Sequence, residues 1–112
     1  MNRINFMITQ IKNENELNAL TQENPNVILQ FSAKWCGPCK MVATHIEDTQ
    51  EKVKDVVKIA KVDIEEAPEI AEKFGIRNIP NFIYIKNGAV VNNKTGVMTQ
   101  KQMIDSVQSV FQ

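Results

Sequence analysis

The sequence contains few of the residues that mark unusual protein classes. Its 112 residues include two cysteines, four glycines, four prolines and one histidine. Two cysteines are too few for the several disulfides that hold small secreted scaffolds together. The low glycine and proline content, together with 43% hydrophobic and 23% charged residues, argues against collagen and disorder. The composition is that of one globular domain with an ordinary hydrophobic core, and we expect that domain to span residues 1–112.

An excess of one charge and a long apolar run are also missing. Thirteen basic residues balance thirteen acidic ones, so the charge footprint of a nucleic-acid or membrane-surface binder is absent. Apolar runs are short, such as 27–29, whereas a membrane span needs about 18 residues. Asn5 and Thr9 interrupt the apolar start, which argues against a signal peptide. These features predict a cytoplasmic monomer that binds neither nucleic acid nor membrane.

The spacing of apolar residues predicts the order strand, helix, strand, helix, strand, helix, hairpin, helix. This order indicates an α/β fold, with a mixed sheet that carries helices on both faces. In chain order the predicted elements are a strand over 4–9, a helix after Asn13, a strand over 27–31, a helix from near Cys36 to about Val53, a strand over 56–64, a helix between Pro68 and Gly75, strands over 82–85 and 89–91, and a helix after Thr99.

Local signals support several of these elements. Asn13 and Thr99 each have Glu or Gln three residues later, which is the spacing of a capping box at a helix start. Asn87-Gly88 readily adopts the positive backbone angles of a tight hairpin turn. The run over 27–31 is apolar except for Gln30, which is typical of a central strand buried on both faces.

The two cysteines lie in the string Trp35-Cys36-Gly37-Pro38-Cys39-Lys40, between the predicted buried strand over 27–31 and the helix that follows it. Residues three apart on a helix have Cα atoms about 5 Å apart, which is within disulfide range. Cys36 lies at the helix start, where free amide groups favour a thiolate. Cys39 should be more covered and less acidic. Pro38 suits the first helical turn, and Gly37 leaves room beside the sulfur.

A reversible redox pair competes here with two other interpretations. A structural disulfide closing so short a loop stabilises the fold by only about 2 kcal/mol in the chain-entropy estimate. A zinc site lacks ligands, because His45 lies nine residues further on, or about 13.5 Å along a helix. We expect no metal, and we expect His45 to be an ordinary surface residue.

Taken with Ile79-Pro80 before a late strand, Asn87-Gly88 in the hairpin and Gly96 before the last helix, the cysteine string resembles the thioredoxin family along essentially the whole chain. The resemblance implies a thioredoxin-like fold with about five strands and about four helices. It also implies a protein-disulfide reductase in which Cys36 attacks and Cys39 resolves the mixed disulfide. No cofactor would be bound, and a thioredoxin reductase using NADPH or, in some organisms, ferredoxin would recharge the dithiol.

The resemblance further implies which residues meet the disulfide-containing client proteins. Pro80 is similar to the family's cis proline, which lies against the redox pair. An extended client segment would dock through main-chain hydrogen bonds on a shallow surface formed by Trp35, Gly75, Asn78, Ile79, Pro80 and Gly96. A second hypothesis is a binding module of the same fold, in which the dithiol switches the affinity for a partner.

Two departures from the family pattern affect the expected chemistry. Gln30 stands where these proteins usually place a buried aspartate as proton acceptor for the resolving thiol, while Lys61, its usual partner, is retained. Glutamine cannot accept a proton at neutral pH, so we expect slow resolution and a Lys61 ammonium that turns outward or finds another acceptor. Thr44 replaces a proline that kinks the long helix in many members, which predicts a straighter helix.

Overall fold

The computed structural model describes residues 8–112, so residues 4–7 of the predicted first strand lie outside the described part. Within it, no helix is long and apolar enough to cross a membrane. The strands are β1 (Thr9–Gln10), β2 (Asn26–Ser32), β3 (Lys58–Asp63), β4 (Asn81–Lys86) and β5 (Ala89–Thr95). The helices are α1 (Glu14–Glu23), α2 (Gly37–Ala43), α3 (Ile46–Val53), α4 (Pro68–Lys73) and α5 (Gln100–Phe111).

The strands form one mixed sheet in the order β1-β3-β2-β4-β5. β3 pairs in parallel with β1 and β2, whereas β4 is antiparallel to both β2 and β5. This arrangement confirms the predicted α/β fold, with a parallel pair followed by an antiparallel hairpin. The carboxyl ends of β2 and β3 therefore lie side by side, and the cysteine segment begins directly after β2.

Two hydrophobic clusters cover the two faces of the sheet. Ile28 and Tyr84 on one face pack with residues of α3 and α5, while Leu29 and Phe31 on the other pack with residues of α1 and α4. Every residue of β2 after Asn26 is buried, as the apolar run predicts. The central strand is thus fixed from both sides, which holds its end, and the segment that follows, in place.

The long helix predicted from near Cys36 to Val53 is wrong in one respect, because the chain breaks it at Thr44 and His45. The amides of these two residues bond to carbonyls three residues back, at Met41 (3.3 Å) and Val42 (3.1 Å), and α3 then starts on the carbonyl of His45. Replacing the family's proline by threonine does not straighten this region. Over residues 8–112 the structure consequently has five helices where about four were predicted.

The prediction that His45 is an ordinary surface residue is also wrong. Its ring is half-buried, with Nε2 2.8 Å from the carbonyl oxygen of Met98 and Nδ1 2.9 Å from the hydroxyl of Thr49. A partner 53 positions away along the chain holds the ring, and no local pattern could have indicated it.

Most of the predicted element boundaries are confirmed. Thr99 and Gln102 form a reciprocal capping box, and Asn13 caps α1 through the amide of Glu16. Asn87 and Gly88 have positive φ angles of 50° and 84°, as the hairpin requires. The predicted last strand is too short, because β5 continues through 92–95, where asparagine and lysine give no strand signal but the backbone still pairs with β4.

Candidate active site

The redox centre is built at the start of α2. Cys36 is the N-cap residue of this helix, with an extended backbone (φ −83°, ψ 109°), and Pro38 occupies the first turn. The cap places the amide of Cys39 3.2 Å from Cys36 Sγ, and this amide donates a hydrogen bond to the sulfur. Open space lies around the Cα of Gly37, which leaves the loop accessible on that side.

Cys36 and Cys39 form a disulfide, with their Cα atoms 5.3 Å apart. This separation agrees with the predicted geometry and lies in the ordinary disulfide range. The prediction that Cys36 is the more exposed of the two does not hold in this oxidised form, in which Cys36 is 4% and Cys39 5% exposed. The reason is their shared packing, since both belong to a small cluster with Ala33 that Ile64 and Ile79 cover.

Residues on two further loops come together around this cluster. The Ile79–Pro80 peptide bond is cis, as the resemblance implies. The amide of Gly96 donates to the carbonyl of Pro80 at 2.8 Å, which joins the loop after β5 to the segment that covers the cysteines. Three of the residues predicted for client docking, namely Ile79, Pro80 and Gly96, are therefore neighbours.

The other predicted docking residues, Trp35, Gly75 and Asn78, are exposed to solvent. Trp35 is 63% exposed, and its indole Nε1 donates to the carboxylate of Glu65 at 3.0 Å. Gly75 ends the turn after α4 with a φ of 66°, and it lines a shallow groove together with Ile64. Asn78 is exposed in the loop that leads to Ile79.

Sequence reasoning did not single out Glu65 or Ile64. Both follow β3, whose end is tied to the end of β2 because the amide of Ile64 donates to the carbonyl of Ser32 at 2.9 Å. The signal that could have found them is topological. Residues after two neighbouring parallel strands meet at the same edge of the sheet, and binding sites form there in open α/β sheets.

Gln30 lies on the sheet face that α3 covers, because side chains two residues apart share a face and Ile28 packs there. It is 1% exposed, and its Oε1 has no hydrogen-bond partner among residues 8–112. The residue paired with it on β3 is Lys61, which is half-buried and has no ion pair within the described chain. Lys61 lines a small cavity of about 120 Å³ whose lining also includes the polar residues Ser32 and Asp63.

Asp63 is 9% exposed and has a structural task of its own. Its Oδ1 accepts hydrogen bonds from the amides of Glu65 (2.8 Å) and Glu66 (3.3 Å), which shapes the turn before α4. Across residues 8–112, no group of three or more histidine, cysteine, aspartate or glutamate side chains is arranged to hold a metal ion.

Comparisons with known proteins agree with this geometry. The family model for thioredoxin matches residues 7–109. Among curated relatives, thioredoxin from Rickettsia typhi is 37% identical over 98 residues, covering 88% of this chain and 90% of that protein. Thioredoxin from Bacillus subtilis is 37% identical over 81 residues, covering 72% of this chain and 78% of that protein.

Solved structures give the same result. Oxidised mitochondrial thioredoxin 3 from Saccharomyces cerevisiae superposes with a TM-score of 0.84 and 27% identity, covering 96% of this chain and 99% of that one. Thioredoxin from Fasciola hepatica gives a TM-score of 0.84 at 26% identity, covering 92% of this chain and 99% of that one. With a disulfide-bonded cysteine pair inside the segment that the family model matches, the chain belongs to the thioredoxin family and is a thiol-disulfide oxidoreductase.

Proposed function

We propose that this protein reduces disulfides in other proteins, with Cys36 as the attacking thiolate and Cys39 as the resolving thiol. The observation that carries the proposal is the hydrogen bond from the Cys39 amide to Cys36 Sγ, at 3.2 Å. An amide donor at a helix start stabilises negative charge on the sulfur it faces, which favours ionisation of that sulfur over its partner. Cys39 lies inside the first turn of α2, and among residues 8–112 no backbone amide donates a hydrogen bond to its sulfur.

The reaction balances over two exchanges. The Cys36 thiolate attacks one sulfur of the client disulfide, forms a mixed disulfide and expels the other client sulfur as a thiolate. Cys39 then loses its proton and attacks Cys36 Sγ, which breaks the mixed disulfide and releases the second client thiolate. Two electrons pass to the client, and the Cys36–Cys39 disulfide seen in the structure remains.

The proposed client surface consists of Trp35, Gly75, Asn78, Ile79, Pro80 and Gly96. Its support is the contact of Ile79 with the cysteine cluster and the hydrogen bond from the Gly96 amide to the Pro80 carbonyl, which links the loop after β5 to the segment that covers the cysteines. An extended client strand can add main-chain hydrogen bonds to such a surface, while the exposed ring of Trp35 supplies apolar contact.

Continuous turnover needs a source of electrons, because each cycle leaves the protein oxidised. We infer that a thioredoxin reductase supplies them from NADPH, and that the protein works as a monomer in the cytoplasm, where thiols are kept reduced. Family membership implies a reductase and disulfide clients in general. A monomer is supported by the small number of large apolar side chains that residues 8–112 expose: Trp35, Met41, Val90, Val91 and Val97.

The test is catalytic reduction of insulin, measured with NADPH and a thioredoxin reductase, for the wild type, Cys36→Ser and Cys39→Ser. We expect turnover in the wild type alone, and a trapped mixed disulfide with insulin only in Cys39→Ser, because only that variant keeps the attacking sulfur. Trapping through Cys39 in the Cys36→Ser variant would reverse the two roles. A folded wild type that reduces nothing but binds a partner only when reduced would instead support the binding module.

A further inference from the structure

The only histidine of the chain stands at the break between α2 and α3. His45 is the N-cap position of α3 (φ −128°, ψ −5°), but its side chain does not cap that helix. The ring points instead to the segment that precedes α5, and it is half-buried there. The hydrogen bonds of the His45 ring therefore do not stabilise the start of α3; they connect it to a distant segment of the chain.

The hydrogen bonds of the ring define its orientation. Nε2 lies 2.8 Å from the carbonyl oxygen of Met98. Since a carbonyl oxygen only accepts, Nε2 carries a proton and donates it. Nδ1 lies 2.9 Å from the hydroxyl of Thr49, whose single proton can go either to Nδ1 or to the His45 carbonyl, also 2.9 Å away, while the hydroxyl oxygen accepts from the Gln100 side-chain amide at 3.3 Å. Both ring nitrogens are thus engaged, and the ring is fixed against rotation.

The carbonyl that His45 holds belongs to the loop that reaches the redox centre. Gly96, two residues before Met98, donates its amide to the carbonyl of Pro80 at 2.8 Å. The Met98 side chain is buried and receives a hydrogen bond from the Tyr84 hydroxyl at 3.7 Å. Residues 96–98 are therefore anchored at both ends, and the residue between the anchors, Val97, is 42% exposed.

We propose that His45 is a positioning residue for client binding, which holds residues 96–98 so that Gly96 keeps its place beside Pro80 on the client surface. The proposal rests on the proposed function, which assigns Gly96 and Pro80 to the client surface. A segment that is already ordered loses less conformational freedom when a client binds, so the anchor raises affinity without touching the sulfurs. A neutral hydrogen bond is worth about a 2- to 10-fold change in an equilibrium constant, which sets the expected size of the effect.

The experiment compares variants that keep one ring contact or the other. The amide nitrogen of glutamine reaches about as far as Nε2, so His45→Gln can still donate to Met98. Asparagine reaches only about as far as Nδ1, so His45→Asn keeps the Thr49 contact and loses Met98. His45→Leu loses both contacts at similar size. Thr44→Ala is the matched control at the same helix break, because the only partner of the Thr44 hydroxyl among residues 8–112 is the Met41 carbonyl.

Insulin reduction with dithiothreitol as the recharging reductant gives the first readout. We expect His45→Asn and His45→Leu to raise KM for insulin about 2- to 10-fold with little change in kcat, and His45→Gln and Thr44→Ala to match the wild type. Reduction of a small aromatic disulfide, which needs no extended docking surface, should be equal in all of them. Equal KM values for His45→Asn and His45→Gln would overturn the proposal.

Hydrogen exchange of the Gly96 amide, measured by NMR on the oxidised protein, gives a second readout that needs no catalysis. We expect faster exchange in His45→Asn and His45→Leu than in the wild type, because the loop opens more often once its second anchor is gone. Unchanged exchange in His45→Asn would show that the ring does not hold the loop. If the wild type fails to reduce insulin, the proposed function is lost, and the exchange rates still decide whether the anchor exists.

Discussion

The residues around the cysteines support the two proposed steps of disulfide reduction to different extents. The Cys36 sulfur faces a backbone amide at 3.2 Å, so a stabilising donor is already in place when a thiolate forms. The proposed resolving step has no comparable provision at position 30, because Gln30 cannot accept a proton and its Oε1 is buried without a partner in the described chain. At the scale of single residues, attack is favoured and resolution is not.

We therefore expect Gln30→Asp to accelerate the resolving step. A carboxylate at this position can take the Cys39 proton, and Lys61 on the paired strand position would help to keep it ionised. We expect an increase of about tenfold, which is less than the roughly 10²- to 10⁴-fold that a well-positioned base typically supplies, because the new carboxylate would enter surroundings that now hold an amide. The measurement is the rate at which the mixed disulfide with insulin disappears in rapid-quench experiments at neutral pH.

Gln30→Met is the control, because methionine has a similar size and can neither accept nor donate that proton. We expect its resolution rate to equal that of the wild type and its stability to be equal or higher, since the variant removes a buried oxygen without a partner. If Gln30→Asp and Gln30→Met resolve at the same rate, the proton leaves through water or another group, and position 30 has no part in the transfer.

At the scale of elements, the sequence predicted what local chemistry determines. The capping box at Thr99, the turn at Asn87-Gly88 and the buried run of β2 each depend on residues close together in the chain, and each is confirmed. The break at His45 was missed because threonine and histidine are both tolerated inside helices. Its partner, the Met98 carbonyl, comes near only once the sheet has formed.

Gln50 is a second residue whose contacts no local sequence pattern indicates, in this case in the core. Its side chain is 2% exposed and bridges α3 to the start of β3, donating to the Val57 carbonyl at 3.0 Å and accepting from the Ile59 amide at 2.7 Å. In the sequence it is a polar residue with no motif around it. These two hydrogen bonds fix α3, the helix that follows α2, against the sheet.

We expect Gln50→Leu to lower the free energy of unfolding by about 2–4 kcal/mol, because two backbone groups lose their partner in a buried place. Urea denaturation followed by circular dichroism measures this loss. Glu51→Ala, one position further along α3, is the matched control. It removes an exposed ion pair with Lys54 and should change stability by less than about 0.5 kcal/mol. Similar losses of stability in both variants would show that the two hydrogen bonds of Gln50 contribute no more to the free energy of unfolding than an exposed ion pair does.

At the scale of the whole molecule, Tyr84 links the central sheet to the parts that surround the site. Its ring is fully buried in β4, and its hydroxyl lies 2.6 Å from the Ser106 hydroxyl on α5 and 3.7 Å from Met98 Sδ. The residue that ties the sheet to the last helix therefore also touches the loop that His45 anchors. We therefore expect a change at the Tyr84 hydroxyl to alter the free energy of unfolding of the whole domain.

High pH is such a disturbance. Burial raises the pKa of the Tyr84 phenol above its ordinary value near 10, and the hydrogen bond with Ser106 only partly opposes this. The folded state thus holds the phenol proton more tightly than the unfolded state does. This contribution to stability is complete below the unfolded pKa of about 10 and is lost as the pH rises through the folded pKa. The loss should approach about 1.4 kcal/mol per pH unit in that range.

Tyr84→Phe isolates this contribution, because lysines that titrate in the same range are common to both proteins. We expect urea denaturation to show a steeper fall in stability above about pH 10 for the wild type than for Tyr84→Phe. The variant should start about 1 kcal/mol lower at neutral pH for want of the Ser106 hydrogen bond. Tyr84 is the only tyrosine, so the phenolate absorbance reports its ionisation alone and should rise only as the fold is lost. Parallel stability curves for the two proteins would show that the buried phenol does not set the alkaline limit, and the linkage would then belong to the lysines on the surface.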